Sequence, residues 1–151
     1  MKVNKELLAY CGLYCGDCAG FSGEIANAAI NLKNKLSKYK FEHTAKNLFT
    51  EKLKDYDKFH EMLQFITALK CEKICRERED DEHSCKVRKC CRDKGFFACY
   101  ECEIYEKCDI LRTTNKKDLY GDSYLKNFQS IREMGLENWI KNGKRFWFAD
   151  D

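Results

Sequence analysis

The apolar positions of this chain fall into helical stripes separated by one long stretch that has no sustained period. From Ser22 to about Tyr39, the residues Ile25, Ala28, Ala29, Leu32, Leu36 and Tyr39 recur at helical spacing, with Ser22 placed as an N-cap. Between about Thr44 and Leu69 the stripe continues through Leu48, Phe49, Leu53, Phe59, Met62, Leu63, Ile66 and Leu69. A break near Asp55 would cap a second segment, so one or two helices fit there. A further stripe runs through Leu125, Phe128, Ile131 and Met134 and is closed by Gly135. Leu136, Trp139 and Ile140 then predict another turn or two of helix before Gly143, ahead of an aromatic end, RFWFADD.

The segment Cys71 to Cys108, CEKICREREDDEHSCKVRKCCRDKGFFACYECEIYEKC, interrupts this pattern and holds eight cysteines. A structureless loop of that length is improbable inside a compact domain, so a constraint other than a packed core is expected to order it. Bound metal supplies such a constraint. Around GFFACYEC, short strands or turns of zinc-knuckle type fit the spacing. The fold class expected is mainly α with small irregular or β-knuckle elements, in a single Cys-rich, metal-stabilised domain over 1–151. Its parts are a Cys motif at 11–18, a helical section at 22–69, a Cys-rich centre at 71–108, and a helical and aromatic tail at 118–151.

Composition sharpens this picture at four points. The 151 residues fit one domain, and 44% hydrophobic with 35% charged residues describes a chain that folds and stays soluble. No apolar run reaches the roughly 20 residues that span a bilayer, and MKVNKELLAY lacks a signal-peptide core, so a cytoplasmic, non-membrane protein is expected. Twenty-eight basic against 25 acidic residues leave a net +3, too balanced for a strong pull toward nucleic acid. Eleven cysteines without an export signal, in a chain with no proline, favour metal ligation over disulfides.

The opening CGLYCGDC places Cys11, Cys15 and Cys18 at a spacing also used by radical S-adenosylmethionine enzymes to hold a [4Fe–4S] cluster. Asp17 stands where those enzymes carry an aromatic residue, and their strand-rich partial barrel needs a longer chain. Zinc fits better: the pairs Cys15 with Cys18 and Cys99 with Cys102 each have the bite for one ion and together complete a closed tetrahedral site. Cys71, Cys75, Cys85 and Cys90 form a second set, giving two zinc ions as the working stoichiometry, with an iron–sulfur cluster as the alternative. Cys11, Cys108 and one of the adjacent Cys90 and Cys91 stay outside that scheme. Cys11 and Cys91 read equally well as small buried hydrophobes.

His83, in EREDDEHSC, reads as a solvated loop residue, and His43 and His60 as surface or boundary residues within helical patterns. The basic run CKVRKCCRDK could lower thiolate pKa values or touch phosphate, although the acidic run before it favours mutual solvation. No phosphate loop, nucleophile elbow or His and carboxylate pair at catalytic metal spacing is present.

The start YCGLYCGDCAGF, then Cys71 and Cys75, then CKVRKCCRDKGFFACYECEIYEKCDIL, resemble a group of small bacterial and archaeal Cys-rich proteins of unknown function. Members of that group open with a CGLxCxxC motif and later show a CxxC-containing cluster with a final Cys followed by a helix. By position, the resemblance implies metal ligands at Cys11, Cys15, Cys18, Cys71, Cys75, Cys85, Cys90, Cys99, Cys102 and Cys108. Cys91 falls outside that set. The spacing between Cys71 and Cys75, and the lack of a Cys pair after the tryptophans, depart from the group's pattern. Three functions are compatible with these features: an interaction module with structural zinc and a protein partner, a thiol or metal redox sensor, and an iron–sulfur protein.

Overall fold

The computed structural model describes residues 4–79, 85–114 and 120–147. It is mainly helical, and the described residues contain no sheet, only an isolated antiparallel bridge between Leu8 and Tyr14. Backbone contacts group the chain into two compact units: Met1–Gly16 with Lys73–Asp151, and Asp17–Glu72.

The second unit is built from α1 (Ala19–Ser22), α2 (Glu24–Lys38), α3 (Phe41–Asn47) and α4 (Tyr56–Thr67), with α2 packed on α4. Gly23 adopts φ 71° between α1 and α2, so it ends one helix and starts the next; this left-handed turn favours glycine. Ser22, one residue earlier, accepts from the Glu24 amide through Oγ at 3.4 Å. The break near Asp55 is real: Asp55 precedes α4, and its carboxylate pairs with Lys58 at 3.3 Å rather than capping the helix amides. On α2 the buried residues are Ala26 and Ala29, whereas Ile25 and Leu32 of the expected stripe are exposed. Small side chains, not large ones, line its buried side.

The first unit has a core of aromatic and aliphatic side chains from both ends of the sequence. It contains α5 (Lys86–Lys94), α6 (Asp109–Thr114), α7 (Ser123–Met134) and α8 (Leu136–Asn142). Gly135, at φ 80°, separates α7 from α8 as the sequence predicts. Phe128 of α7 and Trp139 of α8 are fully buried. Phe128 meets Tyr105 edge to face at 5.4 Å, and Trp139 meets Tyr14 in the same way at 5.7 Å. Truncating either buried side chain to alanine is expected to cost about 3–5 kcal/mol.

The Cys-rich centre departs from expectation in one respect. A regular helix, α5, runs through CKVRKCCRDK, buries Val87, Arg88 and Cys91, and stops at Gly95 with φ 69°. Val87 and Cys91 stand four residues apart, so once cysteine is counted as apolar the helical face becomes visible. Elsewhere the centre is a series of 3-10 turns at Cys75–Glu77, Cys99–Glu101 and Tyr105–Lys107. The GFFACYEC stretch is therefore a turn rather than a strand hairpin.

Candidate metal centre

The described backbone holds its cysteines on turns and helix ends. Cys15 begins a 3-10 turn at Cys15–Asp17, Cys75 begins another, and Cys85 is the N-cap of α5. Cys90 and Cys91 lie on α5 itself, Cys99 opens a turn whose C-cap is Cys102, and Cys108 directly precedes α6. Short turns are where two thiols close in sequence can be aimed at one point.

All eleven cysteines are free thiols. In the first unit, Cys11, Cys75, Cys85, Cys102 and Cys108 pack as half-buried residues against a core that includes Cys91 and Cys99. Burial, opposed by a hydrogen bond with the Leu13 backbone and aided by the charges of Cys75, Cys85 and Cys15, pushes the Cys11 thiol up to about 12. Three thiols from three separated segments thus act on Cys11. Burial also raises Cys90, opposed by Lys94, with Cys91, Cys108 and Cys102 adding to the rise. Cys91 and Cys99 are in sulfur contact at 3.4 Å, and the hydrogen bond between them draws Cys91 down and pushes Cys99 up.

In the second unit, Cys18 and Cys71 come together around Gly20. A Cβ built on Gly20 would lie 3.5 Å from each sulfur, and the Cys71 amide donates to the Gly20 carbonyl at 2.8 Å. The sequence pairs Cys15 with Cys18 and Cys71 with Cys75 therefore each have one member in either unit.

Among the described residues, no three His, Cys, Asp or Glu side chains are gathered tightly enough to ligate one ion as they stand. The chemistry of the donors fits a thiophilic ion: they are all sulfur, reduced, and partly or fully desolvated. His83 lies outside the described residues. His43 and His60 line one cavity of about 620 Å³ with Leu36, Phe41, Tyr56 and Asp57, a juxtaposition that their separate positions in the sequence do not reveal.

Arg76 is the site residue the sequence did not single out. Its Nε donates to the Leu8 carbonyl at 2.9 Å and its Nη2 to the Phe97 carbonyl at 2.7 Å. The guanidinium lies over the Phe97 ring at 3.7 Å and the Tyr10 ring at 4.5 Å. It thereby ties Cys75, its neighbour in sequence, to the segments that carry Cys11 and Cys99. No composition or spacing rule marks one arginine among so many basic residues for this role. Arg92 Nη2 donates to the Arg76 and Arg78 carbonyls at 3.0 and 2.8 Å, and Arg88 Nη2 donates to the Glu79 carbonyl at 2.8 Å. Two cations of the basic run thus serve the loop backbone before α5.

A small helical protein with a reduced, clustered thiol set is the class these features define. The chain belongs to the family described as "Protein of unknown function (DUF3795)", whose profile matches residues 7–113 and so spans the thiol-bearing segments. No curated protein and no solved structure matches it. No helix among the described residues is long and apolar enough to cross a membrane.

Proposed function

We propose that this is a zinc-binding protein whose cysteine-coordinated metal is structural, and that it acts as an interaction module. The observation that carries the reading is the packing of Cys11, Cys75, Cys85, Cys102 and Cys108 as half-buried thiols against a core that holds the 3.4 Å contact of Cys91 with Cys99. Sulfurs brought together out of water repel one another as thiolates, and a divalent cation reverses that cost. Cys11, Cys15, Cys75 and Cys85 would hold one ion, and thiols of the group Cys90, Cys99, Cys102 and Cys108 a second. Bound zinc would supply cross-links, at roughly 10 kcal/mol or more of apparent binding free energy in small zinc domains. The chain's own part is to preset the ligands: Arg76 fixes the Cys75 turn, and α5 carries Cys90 at a defined angle.

The interaction role rests on the second unit, where Ile25, Tyr39, Leu48, Met62 and Phe65 are all more than half exposed. We read these side chains as the surface offered to a protein partner, the role that a contiguous exposed apolar patch has. The experiment is elemental analysis of full-length chain purified without oxygen and without a metal-affinity tag, with an absorption spectrum. About two zinc ions per chain and no visible band support the reading. Iron with sulfide and a band in the blue region replace it with a cluster protein.

A second reading, a thiol redox sensor, is favoured by the 3.4 Å contact between Cys91 and Cys99. Two thiols and one peroxide would give a disulfide and two waters, the sulfurs being oxidised and the peroxide reduced. A disulfide formed at low peroxide, reversed by a dithiol reductant, supports it.

A further inference from the structure

We infer that Cys91 is a metal ligand and that it shares one ion with Cys99. This rests on the zinc reading above and extends it to a cysteine that neither spacing nor resemblance includes.

The two sulfurs are carried by separately anchored elements. Cys91 sits in α5, and its carbonyl accepts from the Phe96 amide at 2.9 Å where the helix closes at Gly95. Cys99 opens the next 3-10 turn, and its amide donates to the Tyr10 carbonyl at 3.0 Å, next to Cys11. Residues eight apart on two anchored elements are thus brought to a sulfur separation of 3.4 Å, with Cys91 1% and Cys99 8% exposed.

Two thiolates bound to one tetrahedral zinc at about 2.3 Å stand about 3.8 Å apart, whereas a disulfide requires about 2.05 Å. The observed contact is within a few tenths of an ångström of the ligand geometry. Cys91 packs within the apolar core, and there it meets a second sulfur, that of Cys99, rather than carbon alone. Successive helix positions are about 100° apart, so Cys90 and Cys91 point to different places. Cys90 is half-buried, whereas Cys91 is 1% exposed and turned into the core. Of the adjacent pair it is therefore Cys91, not Cys90, that is placed to share the ion of Cys99.

The test compares full-length wild type, Cys91→Ser and Cys91→Val for zinc per chain, with cobalt substitution of wild type and Cys91→His. The expected result is the loss of about one zinc equivalent in both the serine and the valine variants. Cys91→His should retain cobalt with weaker sulfur-to-metal charge-transfer absorption, which keeps the test decisive if the other two fail to fold. Valine conserves the apolar volume, so full zinc content in Cys91→Val overturns the inference and leaves the wider zinc reading standing. A wild type that carries no metal defeats the zinc reading itself. A wild type that holds zinc together with a native Cys91–Cys99 disulfide also overturns the inference.

Discussion

Asn127, fully buried on α7, donates from Nδ2 to the Gly12 carbonyl at 3.0 Å, joining the helix to the loop between Cys11 and Cys15. The same Nδ2 donates to the Phe146 carbonyl at 2.8 Å, and its Oδ1 accepts from the Phe146 amide at 2.8 Å. One amide thus satisfies three backbone groups from opposite ends of the chain. Asn127→Leu leaves them unpaired out of water, and at about 1–3 kcal/mol per buried unsatisfied group a loss of several kcal/mol is expected. Thermal unfolding checks this; a melting temperature within a degree of wild type would contradict it.

Gly12 itself, at φ 95°, tests the same contact from the other side. A Cβ there would come within 2.8 Å of the Phe128 ring and 3.1 Å of the Tyr124 carbonyl. Gly12→Ala therefore combines backbone strain with overpacking against a fully buried ring, and should cost about 2–4 kcal/mol. Chemical denaturation should show the midpoint fall by the corresponding amount.

These two positions show how far the sequence could be read. The helices at Glu24–Lys38, Tyr56–Thr67 and Ser123–Met134 follow from apolar period and from stop signals such as Gly135, because local propensity and burial agree there. The faces were less legible: the α2 stripe rightly includes the buried Ala29, but it also takes in Ile25 and Leu32, which are exposed, and passes over the buried Ala26. The α5 helix was hidden because its apolar face is written partly in cysteine. The candidate ligands could be named from spacing, but their neighbours could not. Which sulfurs meet depends on long-range ties such as Asn127 to Gly12 and Arg76 to Leu8, and no local pattern encodes them.

Arg76→Lys is expected to behave as a disruptive substitution. Lysine can reach one of the two carbonyls but cannot bridge both while stacking on Phe97 and Tyr10. Because Arg76 positions the Cys75 turn, the loss should appear as zinc affinity lowered about 10-fold or more, the scale at which supporting residues tune metal sites. Competition with a chromophoric chelator measures it. Equal affinity in wild type and Arg76→Lys would remove Arg76 from the site.

The pH dependence of stability should change sign with metal. In the metal-free chain, burial and then neighbouring thiols raise Cys11 from an ordinary 9.0 to about 12. Its folded form therefore holds the proton more tightly than the unfolded form. The stability this contributes is complete below about pH 9 and declines as pH rises toward 12. In the metal-loaded chain protons compete with the ion, so stability should fall on acidification instead. Denaturation midpoints from pH 5 to 10, with and without a strong chelator, separate the two; parallel profiles would show that no ion is bound at Cys11.

Paired charge substitutions on α4 test the interaction surface. Met62 and Phe65 are 59% and 67% exposed, so neither contributes much burial to the second unit. Replacing both with lysine removes apolar surface that a partner would cover while leaving Leu63, the buried residue between them, in place. Surface changes of this kind normally fall within about 0.5 kcal/mol, so the melting temperature should hold while binding of an apolar dye drops. If Met62→Lys with Phe65→Lys melts the chain instead, those side chains are packed in solution, and the helical unit has no free apolar face to offer a partner.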